Sequence, residues 1–200
     1  MKGLLIIFVK NPVHGKVKSR LAAKVGADKA LSIYRKLLDR TRQVVSEIPF
    51  DKLVCYSNEI DRADIWSNND FKKDLQKGRD LGQRMYYAIE KASDDLYEKI
   101  CLIGSDNMEI TPEIIIEAYD SLDDADIVLG PSRDGGYYLI GMKQPIVEIF
   151  ELGNWSTTSV LEETIAIAKS MELTYHLLAE LNDIDELEDI NDQDQNYLLS

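Results

Sequence analysis

Cysteine, histidine and long apolar runs are what this 200-residue sequence has least of. The two cysteines, Cys55 and Cys101, sit in separate apolar runs, LVCY and ICLIG. That spacing offers neither a metal clip nor a disulfide framework, so both read as buried reduced thiols. His14 and His176 have no partner cluster, which argues against zinc, and His14 reads as a loop residue rather than a catalytic one. No apolar run approaches the ~20 residues of a membrane-spanning helix. In MKGLLIIFVK, Leu4–Val9 is too short for a signal-peptide core, and a lysine follows where small residues should stand. A buried strand and a cytoplasmic chain are the expectation. Low-complexity tracts, repeats and Ser/Gly/Pro-rich linkers are also lacking, so residues 1–200 are expected to form a single domain. Neither GxxxxGK[ST] nor GxGxxG occurs, which sets aside P-loop nucleotidases and nicotinamide dehydrogenases.

Basic residues are scarce in only one half. Residues 1–100 carry 20 Lys and Arg against 14 Asp and Glu, whereas residues 101–200 carry 3 against 22. The net charge of −13 argues against nonspecific nucleic-acid binding. The asymmetry fits either solvated acidic helix faces or a division of labour. In the second case a basic first half holds phosphates and second-half carboxylates hold their metal.

The order of elements points to one fold class. Leu4–Val9, Lys52–Tyr56, Ile100–Gly104, Ile127–Gly130, Gly136–Met142 and Leu173–Leu178 read as strands. Ala30, Leu31, Tyr34, Leu37, Leu38, Thr41, Val44, Val45 and Ile48 form one stripe of an amphipathic helix that Pro49 ends. Further helices are expected over Leu81–Leu96, from Thr111-Pro112-Glu113, and over Ser156–Met171. The tail from Asp185 reads as helical at first and frayed at its end, and residues 58–79 carry no assignment. This alternation predicts an α/β fold with a mainly parallel sheet and helices on both faces. Such sheets bind ligands beyond the carboxyl ends of their strands, which puts the loops at 10–20, 104–111 and 131–136 on one rim.

Those loops hold the chemistry. Lys10 to Leu21, KNPVHGKVKSRL, follows the first strand with several cations and Gly15, so its backbone can approach an anion that Lys10, Lys18 and Arg20 neutralise. A solvated basic loop is the plainer alternative. Asp106, in Gly104-Ser105-Asp106, suits a Mg²⁺ or Mn²⁺ bridging diphosphate oxygens, or simply caps a turn. Asp134-Gly135-Gly136-Tyr137 suits close approach to a ligand with an aromatic wall, or a turn between paired strands. Asp183 and Asp185 would place two carboxylates on one side of an extended segment, or begin a helix.

Taken in order, FVKNPVHGKVKSRL, QKGRDLGQRM, LIGSD with ITPE, DADIVLGPSRDGGYYLIG, NWST and LNDIDELEDI cover nearly the whole chain. Together they resemble the bacterial GT-A-like glycosyltransferases of the arsenosugar-biosynthesis type ("transferase 1"). These belong to the nucleotide-diphospho-sugar transferase superfamily and are related to 2-phospho-lactate guanylyltransferases. The resemblance implies a Rossmann-like GT-A sheet binding a nucleotide-activated donor with a divalent metal, Mg²⁺ or Mn²⁺. It assigns nucleotide contacts to Lys10, Gly15, Lys18, Arg20, Arg79, Asp80 and Gly82. Asp106 stands in for the metal-binding carboxylate and Asp185 is the late acidic metal position. Asp106 and Asp134 are the catalytic candidates, with Gly135, Gly136, Tyr137 and Trp155 on the acceptor side. Relatives continue GSD with Cys-Pro-Asp-Leu, whereas this chain has Asn107-Met108-Glu109-Ile110. The implied activity is sugar transfer from a nucleoside diphosphate to a small acceptor. Nucleotidyl transfer with release of pyrophosphate and a non-catalytic nucleotide-binding protein are the alternatives. No nucleic-acid or membrane partner is implied, and a homodimer is left open.

Overall fold

In the computed structural model, which describes residues 2–153, 155 and 157–200, strand β1 (Gly3–Val9) is buried along its whole length. Side chains alternate across a strand, so a run that is apolar throughout must be covered on both faces. Leu5, Ile7 and Val9 enter one core layer, and Leu4, Ile6 and Phe8 the other. β2 (Asp51–Tyr56) pairs parallel with β1, and β3 (Lys72–Leu75) parallel with β2. β4 (Lys99–Ile103) lies parallel on the other side of β1. β5 (Ile127–Pro131), β6 (Tyr137–Met142) and β7 (Tyr175–Leu177) complete the sheet. Its order is β3-β2-β1-β4-β6-β5-β7, with β6 antiparallel to both neighbours and β7 parallel to β5. The expected mainly parallel α/β sheet is therefore present, with one reversed strand.

Helices cover both faces as expected. They are α1 (Ser19–Val25), α2 (Ala27–Ser46), α3 (Leu81–Asp94), α4 (Pro112–Ser121), α5 (Val147–Phe150), α6 (Val160–Ser170) and α7 (Asp192–Leu198). Leu21, Leu37, Ile115 and Leu198 put α1, α2, α4 and α7 on the Leu5 face. Met85, Ile149 and Ala168 put α3, α5 and α6 on the Leu4 face. The α2 stripe matches the 3.6-residue pattern, except that Ile33 is fully buried and Leu31 only partly. Thr111 caps α4 by accepting from Ile114 N, and Pro112 fills the first helical position. Among the described residues, no helix is long and apolar enough to cross a membrane.

Several local expectations need correction. Residues 58–79 contain β3, whose polar sequence KKDL has no core-facing alternation to reveal an edge strand. The basic loop is shorter than read, because Ser19 and Arg20 already belong to α1. Gly104 lies past the end of β4, and the strand expected over 173–178 spans only Tyr175–Leu177. The helix expected from Ser156 is described from Val160; Ser156 and Asn154 of NWST lie outside the described residues. The acidic tail is not helical at Asp185 and frayed later. It makes a 3₁₀ turn at Leu187–Asp189 and then α7, capped by Asn191 accepting from Asp194 N.

Candidate active site

β1, β2 and β4 run parallel, so their carboxyl ends present a common rim. At the end of β1, Lys10 is fixed through its backbone: the Tyr34 hydroxyl accepts from Lys10 N at 2.8 Å and donates to Lys10 O at 3.0 Å. Burial, reinforced by the charge of Asp106, pushes the Tyr34 phenol well above its ordinary pKa and keeps it protonated. Gly15 turns the loop with φ +70°, and Lys18 precedes α1 in the left-handed region (φ 48°, ψ 53°). The Lys18 side chain is only 4% exposed. Its Nζ lies 3.0 Å from Asp106 Oδ2 and 2.9 Å from Asp185 Oδ1.

The two carboxylates decide the protonation of that lysine. Burial alone would lower its pKa, but Asp106 and Asp185 outweigh it and raise the value. Burial would likewise raise the pKa of Asp185; Lys18 above all, with Lys10 and Arg20 more weakly, lowers it instead. The field at Asp185 thus gathers Lys10, Lys18 and Arg20 with the two carboxylates. Lys18, expected to face phosphate, is engaged by carboxylates in this state. Arg20 projects from the first turn of α1.

The carboxylates are held by a hydrogen-bonded frame that sequence reasoning missed. Ile184 N donates to Asp106 O at 2.9 Å, and Asp189 Oδ2 accepts from Asp185 N at 2.9 Å. Asn107 Oδ1 accepts from Glu109 N (2.8 Å) and Ile110 N (2.9 Å). Its Nδ2 donates to Asn182 O (3.2 Å) and Asp183 Oδ1 (3.1 Å). Ser132 Oγ donates to Asp183 Oδ2 at 3.1 Å. Asp183 and Asp185 have different partners: one ties down the loops and the other faces Lys18. Burial pushes Asp183 up to about 6; Asp106 and Asp134 add to the rise, and Asn107 and Ser132 oppose it. The departure from Cys-Pro-Asp-Leu was the available signal, because an asparagine after Asp106 has four hydrogen-bonding positions to place.

Does a divalent metal fit here? No group of three or more His, Cys, Asp and Glu that could hold one is found among the described residues. Asp106 and Asp185 nevertheless converge on a single cationic atom. Two carboxylates with donor phosphates completing the shell is a usual Mg²⁺ arrangement, which needs no all-protein cage. The residues fit.

The remaining candidates form a second group. Asp80 caps α3, its Oδ1 accepting from Gln83 N at 2.8 Å, and Arg79 N donates to Gln83 Oε1 at 3.1 Å. A Cβ on Gly82 would fall on Phe150 O and the Trp155 indole, and one on Gly135 (φ +89°) would fall on Thr158 O. Leu161 N donates to Gly135 O at 3.0 Å. These glycines let Phe150 and Trp155 lie directly on α3, and Thr158 on the β5–β6 turn. That turn is also the plain connection between paired strands, with Asp134 Oδ1 accepting from Gly136 N at 2.9 Å. Trp155 meets Tyr137 edge-on and stacks with Phe150, each at a centroid distance of 6.4 Å. Its buried Nε1 has no hydrogen-bond partner among the described residues. Beside this group, Asp80, Gln83, Tyr87 and Phe150 border a cavity of about 550 Å³.

Comparison with known proteins places this geometry. The sequence model of the family described as "uncharacterized protein conserved in bacteria (DUF2064)" matches residues 40–157, more than half of the chain. The chain belongs to that family. No curated protein matches it significantly. Among solved structures, a proposed nucleotide-diphospho-sugar transferase from Desulfovibrio desulfuricans G20 is 31% identical, with a TM-score of 0.87 over 100% of this chain and 94% of that one. The inositol-1-phosphate CTP transferase of T. maritima is 12% identical, with a TM-score of 0.64 over 98% and 94% of the two chains. Rv0371c of Mycobacterium tuberculosis H37Rv, in complex with manganese, is 13% identical, with a TM-score of 0.52 over 94% and 96%. This DUF2064 chain thus has the fold of the nucleotide-diphospho-sugar transferases, which cytidylyltransferases share.

Proposed function

We propose that the protein is a divalent-metal-dependent glycosyltransferase that moves a sugar from a nucleoside-diphosphate donor to a small acceptor. The observation that carries this reading is the convergence of Asp106 and Asp185 on one cation beside the basic loop after β1. A bound Mg²⁺ or Mn²⁺ would supply electrostatic stabilisation of the diphosphate leaving group. The chain's own residues do the rest. Lys10 and Arg20, both exposed on the rim, neutralise donor phosphates through charge-assisted hydrogen bonds. Gly15 lets the backbone approach, and Arg79, Asp80 and Gly82 at the start of α3 bound the nucleotide. Gly135, Gly136, Tyr137 and Trp155 shape the acceptor side. Asp134, oriented by Gly136 N, takes the proton of the acceptor hydroxyl as the new glycosidic bond forms and the sugar–phosphate bond breaks. The manganese complex of a protein sharing the fold and the 31% identical relative, itself a proposed nucleotide-diphospho-sugar transferase, support this reading.

A second reading, nucleotidyl transfer to a phosphorylated small molecule, is favoured by the cation count of the first loop. Lys10, Lys16 and Arg20 have no ion-pair partner among the described residues, and a triphosphate would use all three. Incubation with Mn²⁺ and panels of nucleotide sugars and nucleoside triphosphates separates the readings by product. Nucleoside diphosphate release supports glycosyl transfer and pyrophosphate release supports nucleotidyl transfer. Binding without either product would make the protein a non-catalytic nucleotide binder.

A further inference from the structure

Lys18 holds a conformation that its own chemistry does not favour. A lysine in the left-handed region is strained, and this one has no side-chain cap to offer α1. Its long stem is almost fully buried, although ammonium groups are rarely buried unless paired. What offsets both costs is the pair of carboxylates at 3.0 and 2.9 Å. The burial is one-sided. The Asp106 and Asp185 side chains are 32% and 49% exposed, so both are open to a cation from solvent while Lys18 is not.

A divalent ion drawn to the oxygens that Lys18 touches competes with the ammonium for them, and the two positive charges repel at that separation. The lysine has somewhere else to go: a flexible four-carbon stem, and the field of Lys10 and Arg20 where donor phosphate is placed. We propose that Lys18 is a placeholder for the metal, a positioning residue that holds Asp106 and Asp185 together in the metal-free protein and swings to the donor phosphates when a divalent cation displaces it. This rests on the metal-dependent reading above and adds a sequence to it. Metal alone must evict the lysine, whereas metal arriving with a diphosphate gives the lysine a new partner. The two ligands therefore bind cooperatively.

The test is Mn²⁺ binding without nucleotide, followed by electron paramagnetic resonance of free Mn²⁺, in the wild type, Lys18→Gln and Lys18→Gly. Glycine suits the left-handed backbone and guards against a Gln variant that fails to fold. Both variants are expected to bind Mn²⁺ at least tenfold more tightly than the wild type, and adding Asp106→Asn should abolish the gain. Equal or weaker binding in the variants, with wild-type binding still dependent on Asp106, overturns the placeholder and leaves the metal reading standing. If Asp106→Asn changes Mn²⁺ binding in no background, both fall. A second measurement needs no substitution: acetylation of Lys18 by acetic anhydride, read by mass spectrometry, should rise severalfold when saturating Mn²⁺ is added. Unchanged labelling with Mn²⁺ bound contradicts displacement.

Discussion

The Asn107 carboxamide and the Asp183 carboxylate join loops 76 positions apart, Nδ2 donating to Oδ1 at 3.1 Å. The same asparagine ends the two backbone donors of Glu109 and Ile110, so one side chain shapes its own loop and anchors the closing segment. Asp106 precedes Asn107 and Asp185 follows Asp183 by two positions, so this link fastens together the two segments that carry them.

Asn107→Ala should therefore cost more than a surface substitution. Two backbone N–H groups lose their acceptor, at roughly 1–3 kcal/mol for each buried donor left unsatisfied. The expected destabilisation in urea is about 2–4 kcal/mol, part of the range being recovered by water. A loss below about 0.5 kcal/mol, ordinary for a surface site, would show that the link does not hold the rim.

Asp183 gives a pH signature in the metal-free protein. Its pKa is about 6 in the fold and about 3.9 in an unfolded chain. A raised folded pKa means that its contribution is complete below pH 4 and is lost as pH rises through 6. Asp183→Asn removes that loss while keeping an acceptor for Asn107. With EDTA present, the variant should gain on the wild type by on the order of 1–3 kcal/mol between pH 4 and pH 7. A difference that stays flat across this window would mean that Asp183 ionises as freely in the fold as outside it.

Gly82→Ala opposes two effects of known size. Alanine is favoured over glycine in a helix by about 1 kcal/mol, but its Cβ would land on Phe150 O and the Trp155 ring. Forcing atoms into an occupied space costs typically about 1–3 kcal/mol, so the clash should win. Lower melting temperature and a changed tryptophan emission are expected, since Trp66 is buried elsewhere and serves as an internal constant. A stabilised variant with unchanged emission would detach Trp155 from α3.

What was legible in the sequence follows from the range of the forces involved. β1, the α2 stripe and the Thr111-Pro112 start of α4 are local patterns of burial and capping, and each is where the sequence placed it. Strand–helix alternation was enough for the α/β sheet, although nothing local marked β6 as reversed, since a buried strand reads alike in either direction. The polar edge strand β3 hid because it buries little. The ties that build the site are long-range. Lys18 meets Asp185 across 167 positions, and no periodicity encodes such a partner. Asp106 was legible as a carboxylate just past a buried strand, but its engagement by Lys18 was not. The glycines of the DLG and DGG segments read as ligand contacts, while the structure gives Gly82 and Gly135 a packing reason as well.

The central claim is that Asp106 holds the metal through which the nucleotide is bound. Asp106→Asn keeps size and capping capacity and removes only the charge. Thermal melting with saturating UDP, GDP, CDP, ADP or TDP, with and without Mn²⁺, tests it directly. Ligand at about 100 times its Kd stabilises the native state by roughly 2.7 kcal/mol, and for a chain of this size each kcal/mol raises Tm by about 2–4 °C. The wild type should gain about 5–10 °C with Mn²⁺ and its preferred nucleotide. Asp106→Asn should lose that gain, measured from its own ligand-free Tm, which falls because the buried Lys18 keeps only one of its two carboxylates. Full Mn²⁺-dependent stabilisation in the Asn variant would contradict the account.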